Sequence, residues 1–214
     1  MIEQVELPDG TAGFVLPLQR TDRAALVAEF ETLAPESRRR RFLAPVVHLS
    51  DAMLQHLVDD VDGVDHVALV LCVETSDDVY DPVALARMVR YDDVPDAADL
   101  AVTVKDEWQG RGVATVLLDV LMRHRPAGVA RIDTEVLKDN PASLRMLRRL
   151  GPTTVEDEEH GAYRVVVELP TTEVAAPAPP SRDDVRRPAP PLLLRDPVHR
   201  HTLRTRDQVC PWFR

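Results

Sequence analysis

Residues 104–118, from Val104 through Gly110 and Gly112 to Leu118, constrain this chain more than any other stretch. They read as a strand end, a glycine-bearing turn and the start of an amphipathic helix. Gly110 and Gly112 permit dihedrals that side chains resist and let a ligand approach the backbone. The first N–H groups of the helix then point outward, with the positive end of its dipole behind them, a setting suited to a pyrophosphate. Spacing excludes two common phosphate loops. No Lys-Ser/Thr pair follows the glycines, and position 115 is Thr where a dinucleotide fingerprint needs its third glycine. What remains is Gln109-x-x-Gly112-x-Ala114 behind a strand from Leu100 to Val104.

A second segment lies downstream. Val129 to Leu137 reads as a strand, and Asn140 to Gly151 as a helix closed by glycine, with Asn140 able to cap, Pro141 at the first helical position and Leu144, Leu147 and Leu150 at helical spacing. In this order, about thirty residues apart, the two segments resemble the acetyl-CoA signatures of the GNAT superfamily of N-acetyltransferases, Q/R-x-x-G-x-G/A and N-x-x-A/S-x-x-x-Y-x-x-x-G-F. Ser37 to Phe42, the Asp62/Asp65-His66 to Leu69 run and Ala98 to Ala101 narrow the resemblance to the bacterial protein-lysine acetyltransferase branch, over roughly residues 12 to 169. Two positions depart from it. Leu147 stands where the family often has a tyrosine acid, and Pro152 where it often has Phe.

The elements follow from periodicity. Ala12 to Leu18 alternates as a strand; Thr21 to about Leu33 forms a helix with Ala25, Leu26, Phe30 and Leu33 on one stripe, and a basic turn follows at Arg38 to Arg41. Ser50 caps a helix with Met53, Leu54, Leu57 and Val58 on one face. Strands at His66–Glu74, Pro82–Tyr91 and Ala98–Val104, joined by Asp-rich turns, form an antiparallel meander. After the helix that follows the glycines, the strand at 129–137 and the Asn140 helix come strands at Thr153–Glu158 and Ala162–Leu169. This order gives an α/β fold with a mixed sheet and helices on both faces. The resemblance implies further that the sheet is mostly antiparallel and splays between its fourth and fifth strands, here 98–104 and 129–137, with the pantetheine arm between them.

The same resemblance assigns roles. Asp99 stands at the glutamate of the family's A-E-[IV]-A, the base that relieves an ammonium of its proton; a half-buried strand aspartate is also often purely structural, and Glu107 is a competing base. Backbone N–H groups of Val102, Thr103 and Val104 face the pantetheine and the thioester oxygen, and Gln109, Gly110, Arg111, Gly112, Val113 and Ala114 cradle the pyrophosphate, with Arg111 adding charge. Asn140 and Ser143 touch the pantetheine. With Leu147 at the tyrosine position a general acid is in doubt, although a leaving thiol of pKa near 8.5 needs no strong one.

Charge and composition set the remaining bounds. The net charge is −10, of which residues 1–170 carry about −13 and residues 171–214 about +3. An acidic body suits basic acceptors and disfavours nucleic acid. Residues 1–170 are expected to be one domain, and 171–214, holding 8 of the 18 prolines, a largely disordered extension. Cys72 and Cys210 form no disulfide framework, and no signal peptide or membrane-length apolar run is evident, so a cytoplasmic protein is expected. Asp59 to Gly63 lacks the first Asp and last Glu of a calcium loop, and His48, His56, His66 and His124 lack ligand spacing, so no metal is expected. Arg38 to Arg41 reads as a solvated helix face or a phosphate clamp, and Trp108 as a lid or anchor. The expected function is direct acetyl transfer from acetyl-CoA to an amine, a protein lysine first, with a small amine or antibiotic as the alternative acceptor and a catalytically weak acyl-CoA-binding module as the alternative class. Oligomeric state stays open.

Overall fold

The computed structural model describes residues 2–76, 79–158 and 161–170. The Pro/Arg-rich extension at 171–214, with its apolar clusters at Leu192 to Leu194 and Cys210 to Phe213, lies outside the described residues.

Eight strands form one sheet in the order β1-β2-β3-β4-β5-β6-β8-β7. They are β1 (Glu3–Glu6), β2 (Ala12–Pro17), β3 (His66–Ser76), β4 (Val79–Arg90), β5 (Ala97–Val104), β6 (Arg131–Leu137), β7 (Thr153–Asp157) and β8 (Ala162–Glu168). The meander β3-β4-β5 is antiparallel as its Asp-rich turns implied. β1 was not foreseen. Its four residues, Glu-Gln-Val-Glu, carry one apolar side chain and pair only with β2, at the edge of the sheet.

Helices cover both faces. On one lies α4 (Val113–Arg123), whose Val113, Leu117, Val120 and Leu121 recur at helical spacing and pack with Leu69, Leu71, Met88 and Leu100 in the main core. Burying a leucine of this kind contributes about 1.5–3 kcal/mol. On the other lie α1 (Arg23–Thr32), α2 (Pro35–Phe42) and α3 (Asp51–Leu54), the last running into a π-helical turn at Gln55–Asp59. Here Leu26, Met53 and Leu57 pack with Ala68, Val70 and Leu85. Odd- and even-numbered residues of β3 thus serve the two cores, as strand alternation requires. Asp62, in the acidic turn before β3, accepts the N–H groups of Val64, Asp65 and His66.

The basic turn expected at Arg38 to Arg41 is the last part of helix α2. Pro35 opens it, Glu36 sits in its first turn and Arg39, Arg40 and Arg41 in its last, which complements the dipole at both ends. Ala34, at its N-cap, has no side chain to offer. Asp106, from the loop after β5, accepts the Ala34 N–H at 2.8 Å and the Ser37 hydroxyl at 2.5 Å. That loop also carries the glycines, so α2 and the glycine turn are placed by one residue.

Candidate functional site

β4 pairs with β5 from Ala98 to Val104, but β6 pairs with β5 only at Ala97 and Ala98. Beyond Ala98 the two parallel strands part, and one edge of β5 is left without a strand partner. The carbonyls of Leu100 and Val104 face this gap, since the first lies 3.4 Å from the Thr134 hydroxyl oxygen and the second accepts the Gln109 side-chain amide at 3.2 Å. Alternation places the Val102 peptide on the same side and turns that of Thr103 toward β4. Thr103 still lines the cleft, but its N–H is not among the donors on the gap side, contrary to expectation.

The gap opens into a cleft of about 550 Å³. β5 and β6 form its floor, the glycine turn and the start of α4 one end, and α2 and α5 (Pro141–Leu147) its sides. Arg39 of α2 pairs with Asp139, one residue before the cap of α5, which ties these two sides together.

At the glycine end, Gly110 and Gly112 have φ of +76° and +83°. Gly112 is the N-cap of α4 and no side chain caps the helix there. The ladder begins with Val116 N–H to Gly112 O at 3.1 Å, so the preceding N–H groups have no intrahelical partner. This end fits a diphosphate through main-chain donors alone. A Cβ on Gly112 would lie 2.6 Å from Cγ of Pro8, so the β1–β2 turn backs the loop. Arg111 is directed elsewhere. Its guanidinium pairs with Asp9, whose carboxyl Thr11 and then this arginine hold down at about 2, the pair being 2.6 Å apart, and it lies 3.9 Å over the Trp108 ring.

At the opposite end Asp99 is half-buried, and its Oδ1 accepts the Thr134 hydroxyl at 2.7 Å, one residue past the last β5–β6 pair. Burial pushes the carboxyl above its ordinary value, while the Thr134 bond and the Arg41 and Arg87 charges hold the rise back. Glu107 is exposed and outside the cleft. Asn140 caps α5, accepting the Ser143 N–H at 3.2 Å and donating to the Ser143 hydroxyl at 2.8 Å, and both residues line the cleft. Leu147 lines it too, and is buried.

The structure thus gathers Asp99, Val102 to Val104, Gln109, Gly110, Gly112 to Ala114, Asn140 and Ser143 around one cleft, and leaves Arg111 to its side. The arginine run divides its work. Arg40 and Arg41 line the cleft, whereas Arg38 holds the carbonyls of Glu31, Leu33 and Val47. Two features escaped sequence reading. Thr134, the partner of Asp99, looks like any strand threonine. Arg87 is buried beside His66, with Nη1 3.2 Å from its Nε2 and Nη2 donating to Leu57 O of the π turn.

The acetyltransferase (GNAT) family model matches residues 29–151. Acetyltransferase Pat of Mycolicibacterium smegmatis is 32% identical over 152 residues, 71% of this chain and 44% of that protein. Acetyltransferase PA5475 of Pseudomonas aeruginosa is 30% identical over 118 residues, 55% of this chain and 60% of its own. The chain spans about half the length of these curated relatives. The crystal structure of the GNAT domain of S. lividans PAT superposes with a TM-score of 0.68 at 30% identity, covering 78% of this chain and 97% of that one.

Proposed function

The chain belongs to the acetyltransferase (GNAT) family, and from that premise we propose that it transfers an acetyl group directly from acetyl-CoA to a primary amine, with a protein lysine as acceptor. One observation carries the reading: a half-buried carboxylate and an uncapped helix N-terminus stand at opposite ends of a single cleft along an unpaired strand edge.

The chemistry follows from what each residue offers. A lysine ammonium, with an ordinary pKa of about 10.4, lacks the lone pair an attack needs. Asp99 accepts its proton, and a carboxyl raised by burial is a stronger base than an exposed one. The nitrogen then forms a bond to the thioester carbon and the carbon–sulfur bond breaks. The Val102 N–H, on the unpaired edge, is available to the charge that develops on the thioester oxygen. The departing thiolate takes up a proton, and its ordinary pKa of about 8.5 makes the loss of a tyrosine at Leu147 tolerable. The N–H groups from Gly112 onward and the Gln109 loop hold the pyrophosphate, while Asn140 and Ser143 flank the pantetheine.

The acidic charge of residues 1–170 favours a basic acceptor, and the resemblance of Ser37 to Phe42 and Ala98 to Ala101 to the protein-lysine acetyltransferase branch supports a protein one. Incubation with labelled acetyl-CoA and fractionated lysate tests it. Label in protein lysines supports the reading; label in small molecules alone moves the acceptor to a free amine, and acetyl-CoA binding without transfer reduces the protein to an acyl-CoA-binding module.

A further inference from the structure

A second cavity, of about 240 Å³, lies on the α1–α3 face of the sheet. Leu26 and Phe30 of α1, Leu33 at its C-cap, Phe42 of α2, Val70 of β3 and Leu85 of β4 are among the apolar residues that line it. Arg41 and Thr103 line both this cavity and the cleft. Thr103 lies four residues along β5 from Asp99, and Arg41 rests 4.8 Å over the Phe42 ring. The cavity therefore begins beside the stretch of β5 where the acyl carbon would react, and one flexible side chain borders the passage. Leu26, Val70 and Leu85 are each only half-buried, as are Phe42 and Leu49 beside them. Partly exposed aliphatic side chains around a pocket leave apolar surface for a ligand to cover.

We propose that this cavity is an acyl-chain site and that the protein accepts straight-chain acyl-CoA donors longer than acetyl. The proposal rests on the transfer reading above. An apolar cavity of about 150 Å³ takes up a six-carbon ring, so this one has room for a chain of about eight carbons. The transfer is otherwise unchanged: the amine nitrogen bonds to the acyl carbon, the carbon–sulfur bond breaks, and Asp99 takes the amine proton while the thiolate leaves. Arg41 swings off Phe42 to admit the chain, whose carbons then lie against Leu85, Val70 and Leu26. An acceptor side chain is the rival occupant, and it predicts no dependence on donor length.

The test is calorimetric titration of the full chain with CoA and with acetyl-, butyryl-, hexanoyl- and octanoyl-CoA, alongside kcat/KM for each donor. The same measurements are made on Leu26→Trp and Val70→Phe, which fill the cavity away from the cleft. Each methylene that enters should tighten binding by about fourfold, so hexanoyl-CoA, with four methylenes more than acetyl-CoA, should bind up to about 250-fold tighter. Both filled variants should return hexanoyl-CoA to the acetyl-CoA affinity, with acetyl-CoA binding and turnover unchanged. Equal affinities for all chain lengths, with acetyl-CoA still turned over, would overturn the acyl-chain site and leave the transfer reading intact. So would filled variants that keep the length preference, or that change only acceptor KM. Failure to bind any acyl-CoA would remove the transfer reading, and this site with it.

Discussion

Asp99 is the residue on which the chemistry turns, and its surroundings make it testable by pH as well as by loss. Asp99→Asn should lower kcat by roughly 10²- to 10⁴-fold, as expected for a lost general base, while calorimetry finds acetyl-CoA affinity unchanged. The folded carboxyl is raised above the ordinary value of 3.8, so the acidic limb of kcat/KM should lie above that value. The sign for stability is the reverse of a salt-bridged aspartate. Below 3.8 both states are protonated; as pH rises, the unfolded chain ionises first and stability falls until the folded carboxyl has also lost its proton. Asp99→Asn should accordingly raise Tm more at pH 7 than at pH 3.5, and an equal change at both would show that the carboxyl is not perturbed. Thr134 supplies the bond that holds the rise back. Thr134→Val should move the acidic limb further up, whereas a purely structural threonine would leave the limb in place. Asp99 was legible in the sequence because it sits in a short family word. Thr134 was not, because the parting of β5 from β6 is what brings it across.

At the scale of elements, the glycine turn and α2 differ in how they can be read. Gly112 announces itself, since a glycine before an apolar helix stripe marks a bare N-terminus. Its close neighbour Pro8, 104 residues earlier, does not. The two glycines separate backbone cost from crowding: Gly110, at φ +76°, has nothing within 4 Å of a built Cβ, whereas Gly112, at φ +83°, meets Pro8 at 2.6 Å. Gly110→Ala should therefore lower the unfolding free energy by about 1–2 kcal/mol, the cost of a left-handed side chain. Gly112→Ala should cost more and should also weaken acetyl-CoA binding as the loop shifts off Pro8. Urea unfolding and calorimetry on the pair check this, and equal losses would mean that Pro8 does not back the loop. Helix α2 was hidden for the opposite reason. Its residues are mostly charged, and the capping group that starts it comes from Asp106, about seventy positions away. Leu43, which ends it in the left-handed region at φ 56° and lines the cleft, offers no sequence sign at all.

For the whole molecule, local patterns gave every helix but α2, the meander and the family words, while charge says what the folded body attracts. Residues 3–170 close on themselves: Glu3 pairs with Arg123 and His124 at the end of α4, and Leu169 N–H donates to Ala130 O at 2.8 Å. Both cores and the cleft lie within that span, so removing residues 171–214 should leave Tm and acetyl-CoA affinity unchanged. Acceptor kinetics should respond, because the two parts carry opposite charge, about −13 and about +3. A tethered basic segment competes with a basic acceptor for the same acidic surface, and both attractions are screened over about 10 Å at 0.1 M salt. The shortened protein should therefore show a lower KM for a lysine peptide flanked by arginines, a steeper rise of that KM with salt, and no change for a lysine flanked by glycines. A KM that rises for both peptides would instead place acceptor contacts in the extension itself, since loss of competing charge can only favour a basic substrate.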